Sequence, residues 1–178
     1  FRCRESIVIR MNHAPSTNSI ALIRRLREHQ RWAARRLMDA ARPLRDDERN
    51  RTFEIGMGSL WNTLVHLYAA EFIWLAALEG NANPVGPREV KFESFEALEQ
   101  AWETLTARWD RFVAGLSPDD LAKPITKVST SSGAGQTFTT PMMDILLHLS
   151  THAAHTAAQA LNMLRQLGAK VPDLQLIT

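Results

Sequence analysis

Residues 140–168 read TPMMDILLHLSTHAAHTAAQALNMLRQLG, and this run sets the fold class. Its apolar residues recur at helical intervals along the whole stretch. Thr140 and Pro141 suit the N-cap and the first position of a helix, and Gly168 suits the position just after its end. The run therefore predicts one long amphipathic helix close to the C-terminus of the sequence.

Three further helical patterns precede this helix, at about Ser19–Ala41, Ser59–Leu78 and Ser94–Gly115. The Ser117-Pro118-Asp119-Asp120 sequence predicts a short capped helical turn, and residues 124–140, rich in Thr, Ser and Val, predict a small β-hairpin. Four long helices with one hairpin before the last predict an all-α protein, a four-helix bundle formed by residues 16–178. Residues 1–15 are expected to be a flexible lead-in, of which residues 1–10 precede Met11, a more natural start.

Composition narrows the classes of protein and of site. The chain has 178 residues, one cysteine (Cys3) and six histidines. One cysteine cannot close an intrachain disulfide or build a thiolate zinc site, so histidine and carboxylate must supply any metal ligands. No run approaches the roughly 18–20 apolar residues of a membrane span, and the N-terminus lacks the apolar core of a signal peptide. The sequence therefore predicts a cytoplasmic protein with no membrane association.

The first helix is rich in arginine: Arg24, Arg25, Arg27, Arg31, Arg35 and Arg36. Such a helix can bind a phosphate backbone, but no DNA- or RNA-binding motif accompanies it. We therefore expect a solvated face that pairs with acidic residues of a neighbouring helix or subunit, and nucleic acid is disfavoured as a partner. His13 and His29 are expected to be exposed and uninvolved in any site.

The last helix carries a polar stripe in an otherwise apolar sequence: Asp144, His148, His152, His155 and Gln159. At 100° per residue these side chains share one face, and histidines four residues apart can direct two imidazoles at one metal ion. The sequence lacks the HExxH glutamate, because Leu149 follows His148. His66 on the second helix is the candidate for a ligand from another helix, with Asn62 one turn earlier to orient its ring. Ordinary hydrogen-bonded core histidines are the alternative.

Several segments resemble the DinB-like family (the DinB/YfiT group of metalloenzymes). They are HQRWAARRLMDA at residues 29–40, GSLWNTLVH at 58–66 with EFIWL at 71–75, and LHLSTHAAHTAAQ at 147–159 followed by MLRQLG. The resemblance covers nearly the whole chain from His29. It implies a four-helix bundle, commonly a homodimer, whose divalent metal (Zn, Ni or Fe) is held by one second-helix histidine and two last-helix histidines.

Carried over position by position, the first two ligands fall on His66 and His152. The third falls on Thr156, whose hydroxyl is a poor ligand for zinc or nickel. Three outcomes remain open: His148 replaces the missing ligand, His155 replaces it, or the site is poor in metal.

The family resemblance also implies a reaction class. The family is stress- or damage-inducible, and its relatives are thiol-dependent S-transferases and isomerases, in which the metal lowers the pKa of a low-molecular-weight thiol; a metal-dependent hydrolase acting on a small molecule is a variant. The alternative is a non-catalytic, stress-related binding or dimerisation bundle, favoured by Thr156.

Overall fold

Helices dominate the computed structural model, which describes residues 17–84, 91–129 and 135–176. Within those residues the helices are α1 (Thr17–Ala41), α2 (Asp46–Arg49), α3 (Leu60–Leu78), α4 (Phe95–Ala114) and α5 (Met142–Gln166). A 3₁₀ turn occupies Pro118–Ala122, and a hairpin is formed by β1 (Pro124–Val128) and β2 (Thr137–Pro141). The predicted mainly α fold with a hairpin before the last helix is confirmed.

Capping residues set the helix ends as the sequence predicts. The side chains of Ser59 and Ser94 accept hydrogen bonds from the backbone N–H groups of Asn62 and Ala97, which satisfies a free donor at the start of α3 and of α4. Gly168 follows the C-cap of α5 with φ of +72°, a left-handed conformation that glycine adopts without strain.

The long helices pack in the cyclic order α1, α5, α3, α4. Helix α5 packs extensively against both α1 and α3, whereas α4 closes the bundle through sparser contacts with α3 and α1. The core between them is apolar, and its largest fully buried side chain is Trp109 of α4. No helix in the described ranges is long and apolar enough to cross a membrane.

The hairpin is tied to the bundle at both ends. Its strands are antiparallel, with Pro124 opposite Pro141 and Val128 opposite Thr137. The Val128 N–H donates to the Ala82 carbonyl (2.8 Å), and the Met142 N–H donates to the Lys123 carbonyl (2.9 Å). These bonds place β1 beside the end of α3 and fix the start of α5.

The structure corrects four details of the sequence prediction. Helix α5 begins at Met142 with Pro141 as N-cap, because Thr140 and Pro141 belong to β2. The short helix α2 was not predicted. Trp32, which the apolar periodicity of the first helix includes, is exposed, and Arg27, assigned to the solvated face, is buried.

Candidate metal centre

His66 of α3 and His152 of α5 meet across the interface of their two helices. Their Nε2 atoms lie 3.0 Å apart, and the ring centroids are 5.0 Å apart with the rings nearly edge to face. Both side chains are partly buried. The structure thus brings together the two histidines that the sequence singled out on different helices, 86 residues apart.

The environment of His152 keeps its ring neutral. Burial, together with the neighbouring imidazoles of His66, His148 and His155, lowers the pKa of His152 to about 4. A neutral imidazole has a lone pair on one nitrogen, which is the form that binds a metal ion or accepts a proton.

His148 lies one turn before His152 at the exposed end of the polar stripe. Its ring centroid is 6.0 Å from that of His152 and 5.8 Å from that of Trp74 on α3, which it meets nearly edge to face. His148 therefore borders the histidine pair from the solvent side, with Trp74 supporting its ring.

His155 is directed away from the pair by a different partner. It is exposed, and its Nε2 lies 3.0 Å from the Nε2 of Gln159, one turn later on α5. Gln159 in turn lies against Gly56, where a Cβ would approach its Oε1 to 2.4 Å. Gly56 has φ of +57°, so both its conformation and this close approach favour glycine.

Thr156, at the position expected for a third ligand, is buried, with 2% of its surface exposed. Among the residues that the structure describes, no three His, Cys, Asp or Glu side chains lie close enough together to hold a metal ion. The pair is thus a two-histidine arrangement, with His148 and His155 outside it.

Three further expectations concern polar side chains outside the histidine pair: Asn62, His29 and His13. The side-chain amide of Asn62, expected to orient His66, donates to the Met57 carbonyl (3.3 Å). His29 is not a free surface residue, since its Nε2 lies 2.9 Å from the carbonyl oxygen of Leu174. His13 lies outside the described residues.

Sequence reasoning missed Lys127, a buried cation near the histidines. Its Nζ donates to the Val128 carbonyl (2.9 Å) and lies 5.2 Å from the centroid of Trp74, the same ring that contacts His148. Burial lowers the pKa of Lys127. The one sign of its burial in the sequence is the alternation of side chains along β1. Lys127 faces the bundle, whereas its neighbour Thr126 is exposed.

The lowered pKa of His152 predicts a specific dependence of stability on pH. Metal-free protein should be fully stabilised by this group above about pH 6.5 and lose that contribution as the pH falls toward 4, because the unfolded chain binds a proton there and the folded chain does not. Urea unfolding between pH 7 and pH 4.5 measures the loss. His152→Gln should flatten the curve and His29→Gln should not; equal slopes for wild type and His152→Gln would contradict the assignment.

Comparison with known proteins adds one finding about the chain. The model of the DinB family matches residues 16–177, which is nearly the whole of the sequence. No curated protein matches the chain.

Proposed function

The chain belongs to the DinB family, and on that premise we propose that His66 and His152 bind a divalent metal ion, Zn, Ni or Fe, between α3 and α5. The observation that carries this proposal is the 3.0 Å separation of their Nε2 atoms. Zn, Ni and Fe are divalent metals for which the imidazole of histidine is a suitable ligand.

The geometry of the pair fits two ligands of one ion. Histidine nitrogens lie about 2.0–2.1 Å from zinc, so two of them at ligand angles near 90–110° are about 2.8–3.4 Å apart. The observed 3.0 Å separation falls in this interval. The lowered pKa of His152 favours the same role, because the ring competes for the metal as a neutral base at pH 7.

The polypeptide leaves the rest of the coordination open, which suits an enzyme more than a structural metal site. A divalent metal held by His66 and His152 would supply Lewis acidity, which would lower the pKa of a low-molecular-weight thiol toward neutrality. Around it, Trp74 supports the ring of His148, and His148 is exposed and adjacent to His152. We assign His148 the role of accepting the proton that the thiol or another small-molecule nucleophile releases.

These residues support a thiol-dependent S-transferase acting on a small molecule, or a hydrolase in which water takes the place of the thiol. His148 is a better candidate than His155 for either a proton acceptor or a further ligand. The ring of His148 contacts that of His152, whereas His155 is held by Gln159.

A non-catalytic binding or dimerisation bundle is the second candidate. A separation of 3.0 Å between Nε2 atoms is also that of a direct hydrogen bond between a protonated and an unprotonated ring nitrogen. Thr156, a poor metal ligand, stands at the third ligand position. Together with the hydrogen-bond distance, this favours a pair of histidines that holds α3 and α5 together without a metal.

The metal content of the purified protein separates the two candidates. Untagged wild type, dialysed to equilibrium against a fixed concentration of free Zn²⁺, should hold about one ion per chain in excess of the buffer by atomic emission, because both imidazoles bind the metal. His66→Ala and His152→Ala should each lose it, and the matched control His29→Ala should not. If wild type binds no Zn²⁺, the first candidate is excluded and non-catalytic binding or dimerisation remains as the proposed function.

Replacing His148 or His155 assigns their roles. His148→Ala should retain the metal, because we assign that ring the role of proton acceptor; loss of the metal would show that His148 is a ligand instead. His155→Ala should retain the metal in either case, because its partner is Gln159.

We also propose that the protein is a homodimer in the cytoplasm, as the family resemblance implies. Leu22 and Trp32 of α1 are large apolar side chains that are 51% and 38% exposed, and we propose that they lie in the dimer interface. Light scattering of wild type and of Trp32→Glu tests the dimer: wild type should have twice the mass of the chain, and the variant should dissociate.

A further inference from the structure

A cavity of about 470 Å³ lies between α1 and α4, away from the α3–α5 interface where His66 and His152 meet. None of the four candidate histidines lines it. Its walls combine arginines of α1 with an aromatic and an apolar surface of α4: Arg24, Arg27, Glu28, Arg31, Thr106, Trp109, Asp110, Val113 and Ala114. The volume is in the range of sites for small organic molecules.

Three buried N–H donors lie close together here, and two of them belong to residues that line the cavity. Arg27 Nε and Trp109 Nε1, on two lining residues, have no hydrogen-bond acceptor, and neither has Nε2 of Gln30, one turn from Arg27. These residues are 8%, 1% and 5% exposed, respectively. The guanidinium of Arg27 lies 4.0 Å from the centroid of Trp109 and donates to Gln30 Oε1 (3.0 Å), so the three side chains form one group.

Unpaired buried donors are energetically unfavourable, each by about 1–3 kcal/mol, and three in one place call for an acceptor. All three groups are donors, so the complementary ligand group is one that only accepts hydrogen bonds. A carboxylate meets this requirement, because its two oxygens accept several bonds and match the planar guanidinium.

The charges at the mouth favour an anion over a neutral acceptor. Arg27 is neutralised by Glu71, and Arg31 by Asp110, each at 3.0 Å. Arg24 has no ion pair in the described part of the chain, and its guanidinium contacts the Ala114 carbonyl at 3.4 Å. Glu28, the remaining carboxylate of the lining, lies on the same helix one turn later. Arg24 is thus a cation available to a ligand.

We propose that this cavity binds a small organic carboxylate, whose carboxylate group accepts hydrogen bonds from Arg27, Gln30 and Trp109 and whose apolar body packs on Val113 and Ala114. Arg24 at the mouth attracts the anion. The donor atoms themselves have almost no exposed surface. We therefore expect the guanidinium of Arg27 to shift from the Trp109 ring when the carboxylate enters.

The indole N–H of Trp109 reports on this binding directly. In ¹⁵N–¹H spectra of the full-length protein, Trp109→Phe identifies the resonance. Titration with sodium acetate and with sodium benzoate, at ionic strength matched with NaCl, should move it downfield and saturate as the N–H acquires a carboxylate acceptor. The indole resonance of Trp61, on α3, should not move.

A variant that fills the cavity completes the test. Ala114 lines the cavity and is exposed, so Ala114→Phe should leave the fold intact; its ring should occupy the space of the ligand's apolar body and weaken binding at least about tenfold. A Trp109 resonance that does not saturate, or that responds equally in Ala114→Phe, would overturn the proposal and leave ordered water as the acceptor.

Discussion

Glu71→Gln is expected to lower the free energy of unfolding by about 3–5 kcal/mol, because it leaves the buried cation of Arg27 without its counter-ion. Arg27 Nη2 donates to Glu71 Oε2 at 3.0 Å, and the side chains are 9% and 7% exposed. Glutamine keeps the size of glutamate, so the change removes the charge and little packing. A loss of this size is a large part of the stability of a typical domain.

Urea unfolding followed by circular dichroism measures this effect, with an exposed ion pair as the matched control. Arg31 and Asp110 also connect α1 with α4 at 3.0 Å, but their side chains are 46% and 58% exposed. Asp110→Asn should therefore cost no more than about 1 kcal/mol. Equal losses for Glu71→Gln and Asp110→Asn would show that burial does not strengthen the Arg27–Glu71 pair.

The double variant Arg27→Met, Glu71→Leu separates the charge from the packing. Apolar residues that replace both partners of a buried pair are often neutral or stabilising. The double variant should thus be much more stable than Glu71→Gln. If it is as unstable as the single variant, the contribution of Arg27 comes from its packing on Trp109 and not from the ion pair.

Thr156→His is expected to raise the affinity for Zn²⁺ by more than the roughly 10–100-fold that a residue hydrogen-bonded to a metal ligand contributes. Position 156 is one turn after His152, and histidines four residues apart on a helix reach one ion. Thr156 is buried, so the larger ring should also cost about 1–3 kcal/mol of stability in the metal-free protein. Competition with a chelating dye measures the affinity, and thermal unfolding measures the cost.

Thr151→His is the matched control for this gain. Thr151 is exposed on α5, immediately before His152 and about 100° round the helix from it. It adds a histidine to the same helix without directing it at the pair. An equal gain in both variants would show that added histidines bind the metal at the surface, independently of His66.

The fold follows largely from local signals in the sequence. The apolar periodicity and the glycine after α5 are properties of neighbouring residues and predicted the long helices, and the Thr-, Ser- and Val-rich composition of residues 124–140 predicted the hairpin. Arg27 and Gln30 were missed because they continue the series Ile20, Ile23, Ala34 and Leu37, in which charge suggests solvent but spacing indicates burial. Glu71, the one acid in an apolar helix, was the available sign of its partner.

The candidate site was predictable only in part, because its geometry depends on contacts between helices. The spacing within α5 placed His148, His152 and His155 on one face, but which of them meets His66 depends on how α3 and α5 are aligned. Side-chain partners from outside the pattern then separate the three: Trp74 for His148 and Gln159 for His155. Such tertiary contacts have no signature in a single sequence.

The most direct measurement is a crystal structure of the untagged protein grown with Zn²⁺, with data collected at the zinc absorption edge. Our account predicts one anomalous peak between His66 and His152, within about 2.0–2.1 Å of both Nε2 atoms. Imidazole rings that retain their direct 3.0 Å contact with no peak between them would contradict it.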